Sequence, residues 1–336
     1  MGKRHSRTEA DPDLDPLSRT PRLLSTSAGT NPEAFGAAEW SLLAGIATIW
    51  GSSFLLMEIG LQSLRPGLIT FLRIMFGAVA LFLVPRARRT RVLSEDLPRV
   101  ALLGVTWMAL PLLLFPIAQQ WIDSSVAGMI NGAVPLTATL WSTLLLGRLP
   151  PRVQVLGLSV GFVGILAVSL PELPLGRIVV GGTVETALGT TLVFLAVVLY
   201  GLSTNLAVPL QQRYGSLAVL LRAQVAALVI VTPVGLYSLP GSSFEWGPVL
   251  AMVPLGVLGT GVAFVLMTVL VGRVGGPRGS IAIYFVPIVA MALGALLLGE
   301  EIHPLALFGT GIILAGAWVA SRRERTTQVS ATPRST

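Results

Sequence analysis

Along this chain, long uncharged apolar runs alternate with short segments that hold nearly all of the charge. No charged side chain occurs from Val126 to Leu146, from Gln154 to Leu170 or from Thr186 to Leu206. A helix rises ~1.5 Å per residue, so runs of this length match a hydrocarbon core ~30 Å thick. The pattern predicts ten spans, at 41–61, 67–84, 101–118, 126–146, 153–170, 186–206, 217–237, 249–271, 280–298 and 304–320. Short links force neighbouring spans to run antiparallel, so an all-α integral membrane bundle is expected. Trp40, Trp121, Tyr237 and Trp246 fall at span ends, where aromatic anchors sit.

Composition sharpens that picture. Hydrophobic residues make up 53% of the 336 and charged residues only 12%, about half the share usual for soluble domains. Cysteine is absent, which excludes disulfides, thiolate catalysis and Cys-ligated metals. The two histidines, His5 and His303, lie in a polar tail and a loop, so no metal centre is expected. The chain carries no H-E-x-x-H, no G-x-S-x-G and no P-loop, so neither a catalytic residue nor a cofactor is expected. The net charge of +7 invites a nucleic-acid partner. The arginines cluster in short links between spans, however, and fit the surface of a lipid bilayer instead.

Those arginines also predict orientation, because cytoplasmic loops retain positive charge. Arg86, Arg88, Arg89, Arg91 and Arg99 follow span 2; Arg148 and Arg152 follow span 4; Arg213 follows span 6; Arg273 and Arg278 follow span 8. Arg322, Arg323 and Arg325 follow span 10. The alternate links hold only Arg65 and Arg177, beside Asp123, Glu172, Glu185, Glu245, Glu300 and Glu301. Both tails, 1–38 and 322–336, are thus expected in the cytoplasm, with the bundle in the inner (plasma) membrane. Residues 1–38 are rich in Pro, Ser, Thr, Asp and Arg without apolar periodicity, which predicts disorder. No apolar stretch follows Lys3 and Arg4, so no secretory signal is expected.

The chain also repeats itself. Pro135, Gly147, Gly157 and Gly164 recur as Pro287, Gly299, Gly309 and Gly316, each pair 152 positions apart. LLLG at 144–147 returns at 296–299, WGSS at 50–53 has a looser partner in YGLS at 200–203, and Arg73 has one in Arg222. Two copies of five spans follow, 39–170 and 171–321. Five is odd, so the second copy enters the membrane from the opposite side. Inverted repeats let two halves exchange conformations around a midplane site, the architecture of many secondary transporters.

The stretches WGSSFLLMEIGL (50–61), FLRIMFGAVAL (71–81) and PRGSIAIYFVPIVAMALGALLLGEEIHPLALFGTGIILAGAWVA (277–320) resemble the drug/metabolite transporter superfamily, in its EamA-type ten-helix branch. The resemblance covers about residues 40–321. It implies a secondary carrier without ATP hydrolysis, often an exporter, for small organic metabolites or drugs. Three positions depart from the family pattern. Val286 stands where members often have Glu, Arg148 follows the first LLLG in place of an acid, and Glu58 stands where many have Lys. A lipid-handling protein, flippase or scaffold, is the alternative the same fold supports.

Ionisable groups inside a membrane are costly and mark function by default. Arg73 and Arg222 lie five or six residues inside spans 2 and 7, from opposite faces. Each is a candidate for an anionic substrate group, for pairing with a helix C-terminus, or for snorkelling to the interface. Glu58 is the one acid within a span and the candidate for ion coupling, with an interfacial partnership to Arg65 as the alternative. Polar candidates for the substrate site are Trp50, Ser53, Asn131, Tyr200, Ser203, Asn205 and Tyr284. Gly157, Gly161, Gly164, Gly309, Gly311 and Gly316 predict close helix packing, within one chain or at a homodimer seam.

Overall fold

A computed structural model describes residues 23–122, 127, 130–169, 184–293, 295–296 and 304–322. Among these residues the protein is all helical. The helices are α1 (Ala37–Leu61), α2 (Pro66–Leu83), α3 (Ser94–Ala118), α4 (Val134–Leu146), α5 (Arg152–Ser169), α6 (Val184–Tyr214), α7 (Ser216–Ser238), α8 (Trp246–Val274), α9 (Gly276–Leu293) and α10 (Pro304–Ala320). A short helix, Pro85–Arg89, links α2 to α3. Seven of these, α1 to α3 and α6 to α9, are long and apolar enough to cross a membrane. The other three, α4, α5 and α10, are shorter apolar helices. The side chain of Glu58 and the residues Asp123, Glu172, Arg177, Gly299, Glu300, Glu301 and His303 lie outside the described residues.

Local chemistry sets several boundaries. Pro66 and Pro135 open α2 and α4, where a fixed φ and a missing N–H cost nothing. Gly147 ends α4 in the left-handed region, φ 65°. Gly275, at φ 82°, breaks the chain between α8 and α9.

Two helices, α3 and α8, widen along their length. Gly104–Ala109 within α3 and Leu255–Val262 within α8 open into wide π turns. Pro111 lies just beyond the first, and its ring displaces the carbonyl four residues back. Each turn has a glycine in its first two positions against which another helix lies in backbone contact. A Cβ on Gly104 would collide with the Ala223 carbonyl of α7, and one on Gly256 would sit 2.7 Å from the Arg73 carbonyl of α2.

Around these turns, α2 packs on α7 and on the wide turn of α8, while α7 packs on the wide turn of α3. Helix α6 lies on α4 and on the second part of α3, and α1 lies on α8 and α9. Helices α5 and α10 pair with each other. At that last seam, a Cβ on Gly164 would sit 2.6 Å from Ile313 N, and one on Gly316 would strike the backbone of Gly161. The predicted glycine packing is therefore an intrachain contact, except at Gly311, where an added Cβ meets open space.

The tail prediction needs a correction. Residues 25–36 do not behave as free polar chain; they run across one end of the bundle and bond to α3, α6, α8, α9 and α10. Polar composition misled because these contacts are made by backbone carbonyls and short hydroxyls, which leave no apolar period. The end they cross is called the near end below.

Gly316→Ala should lower the melting temperature in detergent, through about 1–3 kcal/mol of overpacking. Gly311→Ala, five residues earlier on the same helix, should leave it unchanged or slightly raised, since alanine favours a helix over glycine by ~0.5–1 kcal/mol. Equal melting curves for the two variants would remove the seam.

Candidate functional site

A cavity of about 80 Å³ lies where α1, α2, α3, α6, α8 and α9 meet, with Asn131 reaching it from the segment before α4. Its wall is mostly aromatic. Phe264 receives Trp50 and Trp107 edge-on, each with ring centroids 5.4 Å apart, and Phe115 stacks on Tyr200 at 6.0 Å. Met57, Met267, Leu112, Ile283 and Val286 complete the apolar lining. Ser53, Thr204, Asn131 and Arg73 supply the polar groups.

Arg73 is the charge in this wall. It is 6% exposed, and its Nε donates to Thr260 Oγ1 at 3.1 Å. Among the described residues no carboxylate lies within salt-bridge distance of it. A cation at such depth costs about 2.5–3.5 kcal/mol on insertion scales, so an anion entering the cavity gains a strong partner. Asn131 adds a second unmet need: its Oδ1 is buried and has no hydrogen-bond donor.

Thr260 belongs to the wide turn of α8, and three other helices reach that turn. Trp50 Nε1 of α1 donates to the Gly259 carbonyl at 3.0 Å. Gln224 Nε2 of α7 donates to the Thr260 carbonyl at 2.8 Å, while Arg73 of α2 holds the Thr260 hydroxyl. A wide turn breaks the regular i→i−4 ladder, and buried carbonyls need other donors. Two side chains that line the cavity, Trp50 and Arg73, are therefore fixed by their bonds to α8.

The other sequence candidates sit elsewhere. Arg222 points to the near end, where it donates to the carbonyls of Ala87 (3.2 Å), Thr90 (2.8 Å) and Ala218 (3.0 Å). It caps the short helix Pro85–Arg89, the helix C-terminus role among the sequence alternatives. Ser203 donates to Thr106 Oγ1 at 2.8 Å and also to the Leu199 carbonyl, tying α6 to α3. Asn205 Nδ2 bonds the carbonyls of Ala138 and Gly201. Tyr284 donates to the Leu158 carbonyl at 2.6 Å, with its ring against Gly161. None of these four lines the cavity. Ser53 does, although its hydroxyl is already bonded to the Ile49 carbonyl.

Sequence reasoning missed Gln224, Thr260, Trp107, Phe115 and Phe264. Gln224 was within reach, since the rule that turns amides away from lipid applies to it as much as to Asn131. The aromatics carry no such mark among so many apolar residues.

A helical bundle with apolar spanning helices around an internal, partly polar cavity defines a multi-pass membrane protein. Residues 39–170 and 187–322 match the EamA-like transporter family, and the chain belongs to it. It is 28% identical over 294 residues to a protein named "Probable terminal-alkyne amino-acid exporter" from Streptantibioticus cattleyicolor, covering 85% of this chain and 94% of that one. An "Uncharacterized transporter" from Archaeoglobus fulgidus is 22% identical over 85% of this chain and 99% of its own. The "Uncharacterized inner membrane transporter YedA" of Escherichia coli is 25% identical over 81% of this chain and 87% of its own. One solved crystal structure superposes with a TM-score of 0.69 at 19% identity, over 85% of this chain and 97% of that one, which speaks to the fold.

Arg73→Gln should abolish saturable ligand binding at the cavity, read as quenching of tryptophan fluorescence. Arg222→Gln should leave that binding intact and lower thermal stability instead, by roughly 1–3 kcal/mol for carbonyls left without donors. Loss of binding in Arg222→Gln at unchanged stability would return that residue to the site.

Proposed function

We propose that the protein is a secondary active transporter, working as an exporter, that carries small organic acids with an apolar portion by alternating access of two inverted five-helix halves. The observation that carries this is the cavity itself: one buried cation, one unfilled amide acceptor and an aromatic wall. A carboxylate would meet Arg73, a donor such as an ammonium group would meet Asn131, and an apolar tail would lie among Trp50, Trp107, Phe115, Tyr200 and Phe264. The exporter name of the Streptantibioticus cattleyicolor relative supports an amino-acid-like substrate.

Internal symmetry supports the mechanism. The family match falls in two segments, one in each half of the chain. Two packing relations recur when each helix number is advanced by five: α2 on the turn of α8 answers α7 on the turn of α3, and α1 on α9 answers α6 on α4. The wide turns themselves correspond, since Gly104 and Gly256 are 152 positions apart. Pro135 and Pro287 each occupy the second position of a helical segment. On this proposal all ten helices cross the inner membrane, 39–170 and 171–321 form the halves, and both termini face the cytoplasm. Two halves packed alike can exchange conformations at little cost, which moves access from one face to the other.

Flux into proteoliposomes, with a panel of amino acids, drugs and sugar conjugates and with or without a pH gradient, tests the proposal. Uptake of one carboxylate-bearing class, lost in Arg73→Gln, is the expected result. Lipid scrambling without solute flux would overturn it in favour of the lipid-handling alternative. Glu58→Gln should flatten the pH dependence of that flux if Glu58 carries the coupling proton; an unchanged profile would assign it to the interface.

A further inference from the structure

We infer that residues 25–35 are an intramolecular strap, seated in a groove built for it at the near end of the bundle, and that it must leave this groove before the cavity opens there. The groove lies over the break between α8 and α9. Its floor is Gly275, whose φ of 82° only glycine adopts comfortably. Gly29 crosses there in backbone contact: a Cβ on it would strike Gly275 N and stand 2.5 Å from the Arg273 carbonyl.

Polar bonds hold the strap along its length. Arg99 Nη2 of α3 donates to Ser25 Oγ at 2.6 Å. Ser27 Oγ donates to Gln212 Oε1 of α6 at 2.8 Å, and Gln212 Nε2 donates back to the Ala28 carbonyl at 2.8 Å. Asn31 N donates to the Arg273 carbonyl at 2.7 Å, and Phe35 N to the Ser321 carbonyl at 3.2 Å. The anchor is Arg278, 1% exposed in the first turn of α9. It donates to the carbonyls of Asn31 (3.2 Å), Glu33 and Ser321 (3.0 Å), with the Phe35 ring beneath it. A cation is poorly placed at a helix N-terminus. The strap's carbonyls supply the negative ends that this position requires, which marks the groove as made for an extended segment of backbone.

The strap also touches the helix that forms one wall of the cavity. Thr26 Oγ1 donates to Asn205 Oδ1 at 3.5 Å, and Asn205 is the residue after Thr204, which lines the cavity. Helices α6, α8 and α9, all touched by the strap, also contribute cavity residues. Separating them at the near end therefore requires the strap's bonds to break. The strap then biases the protein against the near-end-open state by its own binding free energy.

Because this rests on the alternating-access reading, accessibility is a better readout than flux. The chain lacks cysteine, so Thr204→Cys installs a unique thiol in the cavity wall. Its labelling by a membrane-impermeant maleimide is measured in membrane vesicles of each orientation. Adding Gly29→Val, in the full chain, should raise near-end labelling roughly tenfold, the scale of one or two lost hydrogen bonds, and lower far-end labelling. Gly247→Val, where an added Cβ meets nothing, should change neither rate. Equal rates in the Gly29 and Gly247 variants would overturn the strap.

A second set of variants separates a displaced strap from a damaged fold. With Ser27→His and Gln212→His beside Thr204→Cys, zinc should clamp the strap and cut near-end labelling about tenfold, with recovery on chelation by EDTA. No effect of zinc would overturn the proposal even if Gly29→Val labels from both ends. Thr204→Cys that is never labelled from the near end, in any variant, would instead overturn alternating access itself.

Discussion

Hydrocarbon offers no hydrogen bonds, so every polar group in a spanning helix must find its partner inside the protein. That constraint organises this structure. Hydroxyls inside the helices turn back on their own backbone, as Thr139 does to Pro135, Thr232 to Leu228 and Thr268 to Phe264. Groups that cannot turn back reach across to another helix, as Trp141 does to the Val198 carbonyl and Tyr284 to that of Leu158. Where the helical ladder is itself disturbed, in the wide turn of α8, donors from α1, α2 and α7 converge on it. The wide turn of α8 thus ties three helices to a fourth.

This has a consequence for how site and scaffold relate. Trp50 and Arg73 line the cavity and also hold α8 in its irregular shape. Their geometry is fixed before any substrate arrives, by bonds that lipid cannot replace. Pre-organised groups lose little entropy on binding. A movement of α8 must in turn carry the Thr260 hydroxyl and the Gly259 carbonyl with it, so the shape of the cavity and the packing of α1, α2 and α7 change together.

Much of the fold was legible in the chain, because spanning helices leave the plainest of all sequence marks. The apolar runs at 67–84, 217–237 and 249–271 appear as α2, α7 and α8, with their ends moved by no more than a turn. The glycine seam was also legible, since Gly157 and Gly164 on α5, like Gly309 and Gly316 on α10, are seven positions apart and share a helix face, although Gly311 shows that a glycine alone cannot say which face meets a neighbour. The site was harder to see. Arg73 was found by the cost of its charge, but Arg222, singled out on the same ground, bonds to the backbone of a surface helix, and sequence cannot distinguish a carbonyl partner from a substrate. The arginines counted for orientation include Arg99 and Arg278, which are buried and bonded. The tail segment 25–36 escaped notice because backbone-to-backbone contact needs small residues and no apolar pattern.

The wide turns also carry a lesson about phase. Each inserts a surplus residue, and one residue rotates the side chains beyond it by about 100° around the helix axis. On α3, Thr106 and Trp107 lie within the turn, and Leu112 and Phe115 lie past it. A single helical wheel drawn through all four assigns the last two to the wrong side. Removing one residue from Gly104–Ala109 would shorten the chain by very little, yet it would swing Leu112 and Phe115 out of the wall. In this protein a one-residue deletion acts less as a loss of length than as a twist, and the cavity is the part that feels it.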